Sequence, residues 1–504
     1  MGSASSTLKD NRDIEKYSYT QDDRDDEILN EKLGSVKITP QQKSLSNATT
    51  SNTKPSVNKD AEPIVLDSIN EWETKLLSDK KNLLTINALA HNSIVNVIKN
   101  HKQLTKDSVD IWNTQVSIEG SPITSQKSSG RCWIFASTNV FRTFYQKKFD
   151  IESFELSQAY LFFYDKLEKS NYLLNNIIET ADDKLESRVV QSILSNGLSD
   201  GGQWDFIVNL VNKYGLVPKS VYDDDFHAQN SSALNYVLVN KLREYSIELR
   251  RLINEEHLSI PEVNKVKEKQ LKEVYNILAL LLGPAPKASE TFTWEYKDKS
   301  NKTHIVKTTP LDFASLVDLR IDQTFSLIND PRNPYNKLYT VDRLNNVIGG
   351  KPIDYVNVES SVQKQAIVDS LKDNQPVFFG CDVGKFQDNG VLDTEAFDYE
   401  LAFNTKLNLT KEQRLKVGSS AMTHAMVITA VHIVDGEIQR YKIQNSWGDA
   451  AGNKGYFVAT DKWFDEYVYQ VVTSTKYAPK NLTEIWKKGD YQVLPIYDPM
   501  GALA

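Results

Sequence analysis

A buried helix that has to open on a cysteine is the tightest constraint this 504-residue chain places on its own folding. The run Gln126-Lys-Ser-Ser-Gly-Arg-Cys132-Trp-Ile-Phe-Ala136 sets one of only two cysteines between a glycine-containing turn and an apolar segment. Trp133, Ala136, Val140 and Phe144 recur at helical spacing, and Ile134, Phe135 and Phe141 widen the stripe, which predicts a buried helix with Cys132 in its first turn. The unpaired N–H groups and dipole of that turn favour a thiolate, the form that attacks carbonyls. Gln126, six residues upstream, can bring an amide donor beside the Cys132 N–H, near the oxygen of an attacked carbonyl. A cysteine in such a place can equally be an inert core thiol. The run therefore needs a partner elsewhere in the chain.

A thiolate nucleophile requires a base, usually histidine, and a third group that holds the imidazole in the useful tautomer. Two downstream segments supply candidates: Met422-Thr-His424-Ala-Met-Val-Ile-Thr-Ala-Val-His432 and Tyr441-Lys-Ile-Gln-Asn445-Ser-Trp447-Gly448. Asp435-Gly436 reads as a two-residue hairpin turn between β-rich runs, so position 434 faces 437. Counting back along both strands puts His424 opposite Trp447 and beside Asn445. His432 falls opposite Gln439, roughly 26 Å from His424 at about 3.3 Å per residue. A bulge can shift this register by one residue but cannot exchange the two histidines. His424 is thus the candidate base and His432 a structural strand residue.

Gln126, Cys132-Trp133, His424 and Asn445-Ser446-Trp447-Gly448 resemble the papain-like cysteine peptidases in identity and chain order. That family spaces its Cys and His by about 130–150 residues. Here His424 follows Cys132 by 292 residues, which leaves room for a large insertion. The local signature also departs, with Ser129-Gly130-Arg131 before the nucleophile and no cysteine at 129. Together with the insertion, the ending Leu494-Pro-Ile-Tyr-Asp-Pro-Met-Gly-Ala-Leu-Ala504 narrows the resemblance to the bleomycin hydrolase branch. Glu155–Asp165, Asp200-Gly-Gly-Gln203, Lys213–Pro218 and Ser326–Pro331 are similar to the same branch, so the resemblance runs from about residue 65 to the end.

The resemblance implies an α+β papain-like fold whose helical half carries Cys132 and whose β half carries His424 and Asn445. It implies acyl transfer through a thioester. Cys132 is then the nucleophile, His424 the acid and base, Asn445 the orienter, Gln126 an oxyanion donor, and Trp447 a shield over the imidazole and part of the substrate site. Gly201 and Gly202, which by local pattern form only a helix-entry turn, become a cleft wall where absent side chains let a peptide backbone approach. The C-terminal segment is expected to lie in its own cleft, with the Ala504 carboxylate blocking unprimed subsites and pairing with a free α-amine. That makes the expected activity an aminopeptidase of broad specificity, extending to the amide of bleomycin and to homocysteine thiolactone. A homohexameric barrel and weak nucleic-acid binding are further implications of the branch. No metal or organic cofactor is expected.

Apolar content of 40% and charged content of 25% fit a globular chain, and the net charge of −8 gives no global footprint for nucleic acid. Two cysteines in such a length argue for a reducing compartment and, with no apolar run long enough to span a bilayer, for a cytoplasmic protein. A Cys-His acyltransferase of another fold, such as a transglutaminase, is disfavoured by the Asn-Ser-Trp-Gly orienter.

Along the chain, residues 1–62 contain no Phe or Trp and are rich in Ser, Asn, Lys and Asp, which predicts a disordered extension. Their start, Met1-Gly2-Ser-Ala-Ser-Ser6, fits a myristoylation pattern that would give weak membrane association at most. Residues 63–225 are assigned to the helical half, beginning with a capping box at Ser68–Glu71 and including a helix over 157–167. Residues 226–355 form a helical insertion and an oligomerisation arm, with a hairpin across 297–303. Lys265, Lys267, Lys269 and Lys272 there make either a solvated face or the lining of an internal chamber. Residues 356–490 are the β half, where Cys381 reads as a core thiol, and 491–504 are the tail.

Overall fold

The computed structural model describes residues 61–504. The expected N-terminal extension up to residue 60, with its Gly2 lipidation pattern, lies outside the described residues. The chain divides between Thr74 and Lys75. Across that division runs the helix Leu66–Leu77, which buries none of its residues. It starts before Ser68, so the serine sits inside the first turn and does not cap the helix as the sequence pattern suggests.

Two helices organise the helical half of the main unit. The cysteine helix Cys132–Phe149 is buried without a break from Cys132 to Thr143, polar residues included. Each of those polar residues hydrogen-bonds nearby, which makes its burial tolerable, although Asn139 Oδ1 and Arg142 Nε have no partner. Ser137 Oγ donates to the Trp133 carbonyl, Thr138 Oγ1 to that of Ile134, Asn139 Nδ2 to Thr124 Oγ1 and Arg142 Nη1 to the Pro122 carbonyl. The second helix, Gln158–Glu179, is capped by Ser157 and runs twelve residues past the expected end. Asp165, Lys166, Glu168 and Lys169 interrupt its apolar pattern, yet all four are buried.

The insertion supplies the long helices Ser232–Asn254 and Ile260–Leu282. The first buries Leu234, Leu238, Leu242, Leu249 and Leu252 on one face. The second opens on a Ser259–Glu262 capping box and stops at Gly283. A hairpin follows, pairing Phe292–Lys297 with Thr303–Thr308. Its Trp294 is buried, with ring contacts to Phe149 and Phe154 at 5.4 Å, so one face of the expected arm packs within the chain.

The remaining strands form one twelve-stranded sheet. Its centre is the antiparallel series Val468–Ser474, Val377–Cys381, His424–Val434, Glu437–Gln444 and Tyr456–Thr460. Helix Ser360–Lys372 packs on this sheet through Ile367, Val368 and Leu371. Strands Thr324–Ile328, Lys337–Val341 and Tyr355–Asn357 join the same sheet. Strand Tyr491–Leu494 pairs in parallel with Lys337–Val341, which leaves only the residues after Leu494 as a tail. In both cases strands of five residues or fewer are paired by distant partners, a signal no local pattern carries.

Candidate active site

The hairpin that carries the imidazole turns at Asp435-Gly436, both with positive φ (52° and 85°), the backbone of a type I′ turn. Val434 faces Glu437 and Ile433 faces Ile438, as counted from the sequence. A bulge then moves His432 opposite Arg440, not Gln439 as expected. A second irregularity between Ile428 and Ala430 cancels the first, so Val427 faces Gln444 in the original register. The two histidines keep their places, and His424 emerges at the end where Asn445 leaves the partner strand.

There His424 Nε2 lies 2.8 Å from Asn445 Oδ1, both residues being buried. The same oxygen accepts the Ser446 backbone N–H at 2.8 Å, so two donors fix the orientation of the amide. An oxygen at this position makes Nε2 the donor and leaves Nδ1 as the basic nitrogen. Trp447, about two-fifths exposed, holds its ring 4.9 Å from the imidazole and 5.6 Å from Phe457, so it roofs the hydrogen bond. His432 stands apart on the outer half of the strand.

Cys132 is the first residue of its helix and 2% exposed. The helix that Cys132 opens packs on the strand that begins at His424, with Cys132 and Ala425 in one core cluster, which brings the two halves together. Burial pushes the thiol up to about 11, against the pull of nearby backbone N–H groups. Burial likewise pushes the His424 imidazole down to about 4, against its bond to Asn445. In the enclosed cleft desolvation opposes both the thiolate that the helix terminus favours and the imidazolium that would pair with it.

Gln126 ties the nucleophile loop to the orienter loop. Its backbone N–H donates to the Ser446 carbonyl at 2.8 Å, and its Oε1 accepts from Ser446 Oγ at 2.7 Å. Nε2 donates one hydrogen to the Ser129 carbonyl at 2.6 Å. Arg131, fully buried just before Cys132, forks onto Asp224 at 2.7 and 3.1 Å and lies over the rings of Phe135 and Phe162.

The Gly201-Gly202 segment faces the chain's own end. Gly202 N–H donates to Ala504 O at 2.9 Å, and Ala504 N–H donates back to Gly202 O at 3.0 Å, an antiparallel pairing that buries Ala504. Both glycines are required by space. A Cβ on Gly201 would lie 2.9 Å from Leu503, and one on Gly202 2.4 Å from the Trp133 indole.

Four charges that the sequence did not single out hold this segment from behind. Lys169 Nζ donates to the Gly201 and Ser199 carbonyls and pairs with Asp165 at 2.7 Å. Lys166 Nζ donates to the Leu198 carbonyl and pairs with Asp200 at 2.7 Å. The Asp200 carboxylate also accepts from the Gly130 N–H at 3.1 Å, from Asn235 at 2.8 Å and from Ser231, while its carbonyl accepts the Trp133 indole N–H at 2.7 Å. Burial works against this carboxylate, but Lys166 and these donors outweigh it and hold its pKa well below the usual range. The one available sign in the sequence was an Asp–Lys pair four apart, at 165 and 169, inside an aromatic helix.

The Peptidase C1-like family model matches residues 63–501. The yeast (Saccharomyces cerevisiae, strain JAY291) protein named cysteine proteinase 1, mitochondrial, is 41% identical over 450 residues, covering 88% of this chain and 93% of the relative. The chicken (Gallus gallus) protein named bleomycin hydrolase is 41% identical over 421 residues, 80% of this chain and 90% of the relative. The crystal structure of PepW from Lactobacillus rhamnosis HN001 superposes with a TM-score of 0.85 at 40% identity, covering 88% of this chain and 99% of that one.

Proposed function

The chain belongs to the Peptidase C1-like family and is a cysteine peptidase, and on that premise we propose that it is an aminopeptidase of broad specificity working through a Cys132 thioester. In this reading the thiol passes its proton to His424 Nδ1 as sulfur attacks the scissile carbonyl. The Cys132 N–H and the second Nε2 hydrogen of Gln126 receive the oxyanion. His424 then protonates the leaving amine as the C–N bond breaks. It next takes a proton from the water that hydrolyses the thioester, and Asn445 holds the ring throughout.

The observation that carries the aminopeptidase reading is the Ala504–Gly202 pairing. A peptide backbone already occupies the edge where residues upstream of the scissile bond would lie. One terminal oxygen is engaged by Gly202, and the rest of the carboxylate charge can meet a substrate ammonium group. By the same reading the amide of bleomycin and homocysteine thiolactone are substrates, in keeping with the name the chicken relative carries. Six copies form the working assembly, and the compartment is reducing and cytoplasmic. Among the described residues no helix is long and apolar enough to cross a membrane. Hydrolysis of one peptide with a free N-terminus, compared with its acetylated twin, tests the core of the proposal. Equal rates on the two would exclude it.

A further inference from the structure

After Leu494 leaves the sheet, the chain is held at few points on its way to Ala504. Asp498 meets Arg332 through two bonds, Nη2 to Oδ1 at 2.7 Å and Nη1 to Oδ2 at 3.3 Å. Arg332 is itself fixed from the other side by Asp330, with Nη2 to Oδ2 at 2.8 Å and Nε to Oδ1 at 2.9 Å. Asp330 is fully buried and further held by Asn333. The guanidinium is thus set in place before the tail arrives, and a planar fork on a carboxylate fixes direction as well as distance. Asp498 also accepts the Met500 N–H at 2.8 Å, starting the single turn Pro499–Gly501. The Arg188 guanidinium stacks on Tyr497 at 3.5 Å, and Met500 is buried.

Beyond these contacts the tail is held by the Ala504–Gly202 pairing at its very end and by packing of Ile496 and Leu503, and one side of it is open. A cavity of about 470 Å³ runs beside it, lined by Lys169, Tyr172, Phe206, Leu344, Ile496 and Leu503. Six residues follow Asp498, ending at Ala504, a reach of at most roughly 20 Å when extended. With the origin fixed at Asp498, the count of residues decides where the carboxylate stops.

We propose that the Arg332–Asp498 ion pair is a latch that sets the position of the C-terminal residue in the cleft, and that these two side chains are specificity-determining residues for the peptidase. The proposal rests on the reading of the tail as the gate. Releasing the latch leaves every group at the reacting carbonyl in place but lets the last six residues drift into the neighbouring cavity. Discrimination between free and blocked N-termini then weakens, while turnover of a bound substrate changes little.

Asp498→Asn removes the charge and keeps an oxygen for the Met500 N–H, so the turn survives. The ratio of kcat/KM for a free tripeptide to that for its acetylated twin should fall by about tenfold, the scale of one hydrogen-bonded charge pair. The loss should appear as a higher KM for the free peptide with kcat nearly unchanged. Asp498→Glu should recover part of the selectivity, which a loss of general stability would not. Inserting one glycine after Met500 should lower the ratio with the latch intact. Deletion of residues 501–504 is measured alongside. If the deletion abolishes discrimination and Asp498→Asn retains the wild-type ratio with an unchanged Tm, the latch is overturned and the gate stands. If the deletion itself leaves the ratio unchanged, the gate reading fails and the latch falls with it.

Discussion

On one side of the cleft the Gly201-Gly202 segment hangs from four buried charges, Asp165, Lys166, Lys169 and Asp200. On the other, His424 and Asn445 stand at the end of a backbone ladder whose interior is Val427, Ile428, Val431, Tyr441 and Ile443. The two supports fail differently. A charge taken out of water is tolerable only while its partners are in place, so the helical side depends on every member of its cluster. A ladder distributes its support over many equivalent bonds. In this hairpin it absorbs two irregularities of opposite sense and still delivers His424 in register. The same contrast separates cross-links. Asp200 joins the nucleophile loop to the Gly201-Gly202 segment through Gly130 and Trp133, where a covalent bond would be indifferent to charge.

The largest effects are expected where chemistry and support coincide. Cys132→Ala and His424→Ala should each lower kcat by a factor on the order of 10⁶, as when one member of a triad is removed, with the assembled mass unchanged by light scattering. His424 also makes the ladder side sensitive to acid. Its imidazole is held near 4 in the fold and titrates near 6.5 when unfolded. Below 6.5 the unfolded chain binds a proton that the folded one refuses, so stability present above 6.5 is lost as the pH falls towards 4. Denaturant midpoints measured across that window should fall more steeply for the wild type than for His424→Ala. Equal slopes would mean that the imidazole is not desolvated in solution.

On the charged side, Lys166→Met should destabilise the fold by about 3–5 kcal/mol, because it strands the buried Asp200 carboxylate. Urea unfolding measures this. A cost below about 1 kcal/mol, the range of an exposed pair, would show that water reaches the cluster. Gln126→Ala comes next, with kcat reduced by roughly 10²–10³ for one lost oxyanion donor. An unchanged kcat would leave Gln126 as only the tie between its loop and Ser446.

The same contrast explains what could be read in advance. Periodicity and turn chemistry are local signals, and the ladder is built from them, so the hairpin, the cysteine helix, the Ser360–Lys372 helix and the approach of His424 to Asn445 follow from residue spacing. The buried cluster is written in residues whose default is solvent. Lys166, Glu168 and Lys169 break the apolar pattern of a helix that continues to Glu179, twelve residues past the expected end. Strands Thr324–Ile328 and Lys337–Val341 were assigned to the insertion for a related reason. Their place in the sheet is decided by partners more than a hundred residues away, Gln470–Ser474 and Tyr491–Leu494. Nor could the helix terminus at Cys132 reveal that enclosure would oppose its effect on the thiol, since burial is a property of the assembled cleft.

The smallest expected effect is the most direct test of the ladder. His432 shares a strand with His424 and differs from it in having no orienter. In the structure it faces Arg440 across the bulge, partly exposed, with the reacting groups at the far end of the strand. His432→Ala should therefore keep kcat and kcat/KM within about twofold of wild type and cost under about 1 kcal/mol, as surface strand substitutions do. The bulge sharpens the argument. Were the register set by a single slip that persisted along the strands, residue 424 would point to the opposite face and away from Asn445. The second irregularity between Ile428 and Ala430 prevents this, and it makes Thr429 the more sensitive position. Thr429→Gly should disturb His424 at a distance and lower kcat more than His432→Ala does, although His432 is the residue with titratable chemistry. The reverse order would place catalytic weight on the outer histidine and undo the assignment of the base.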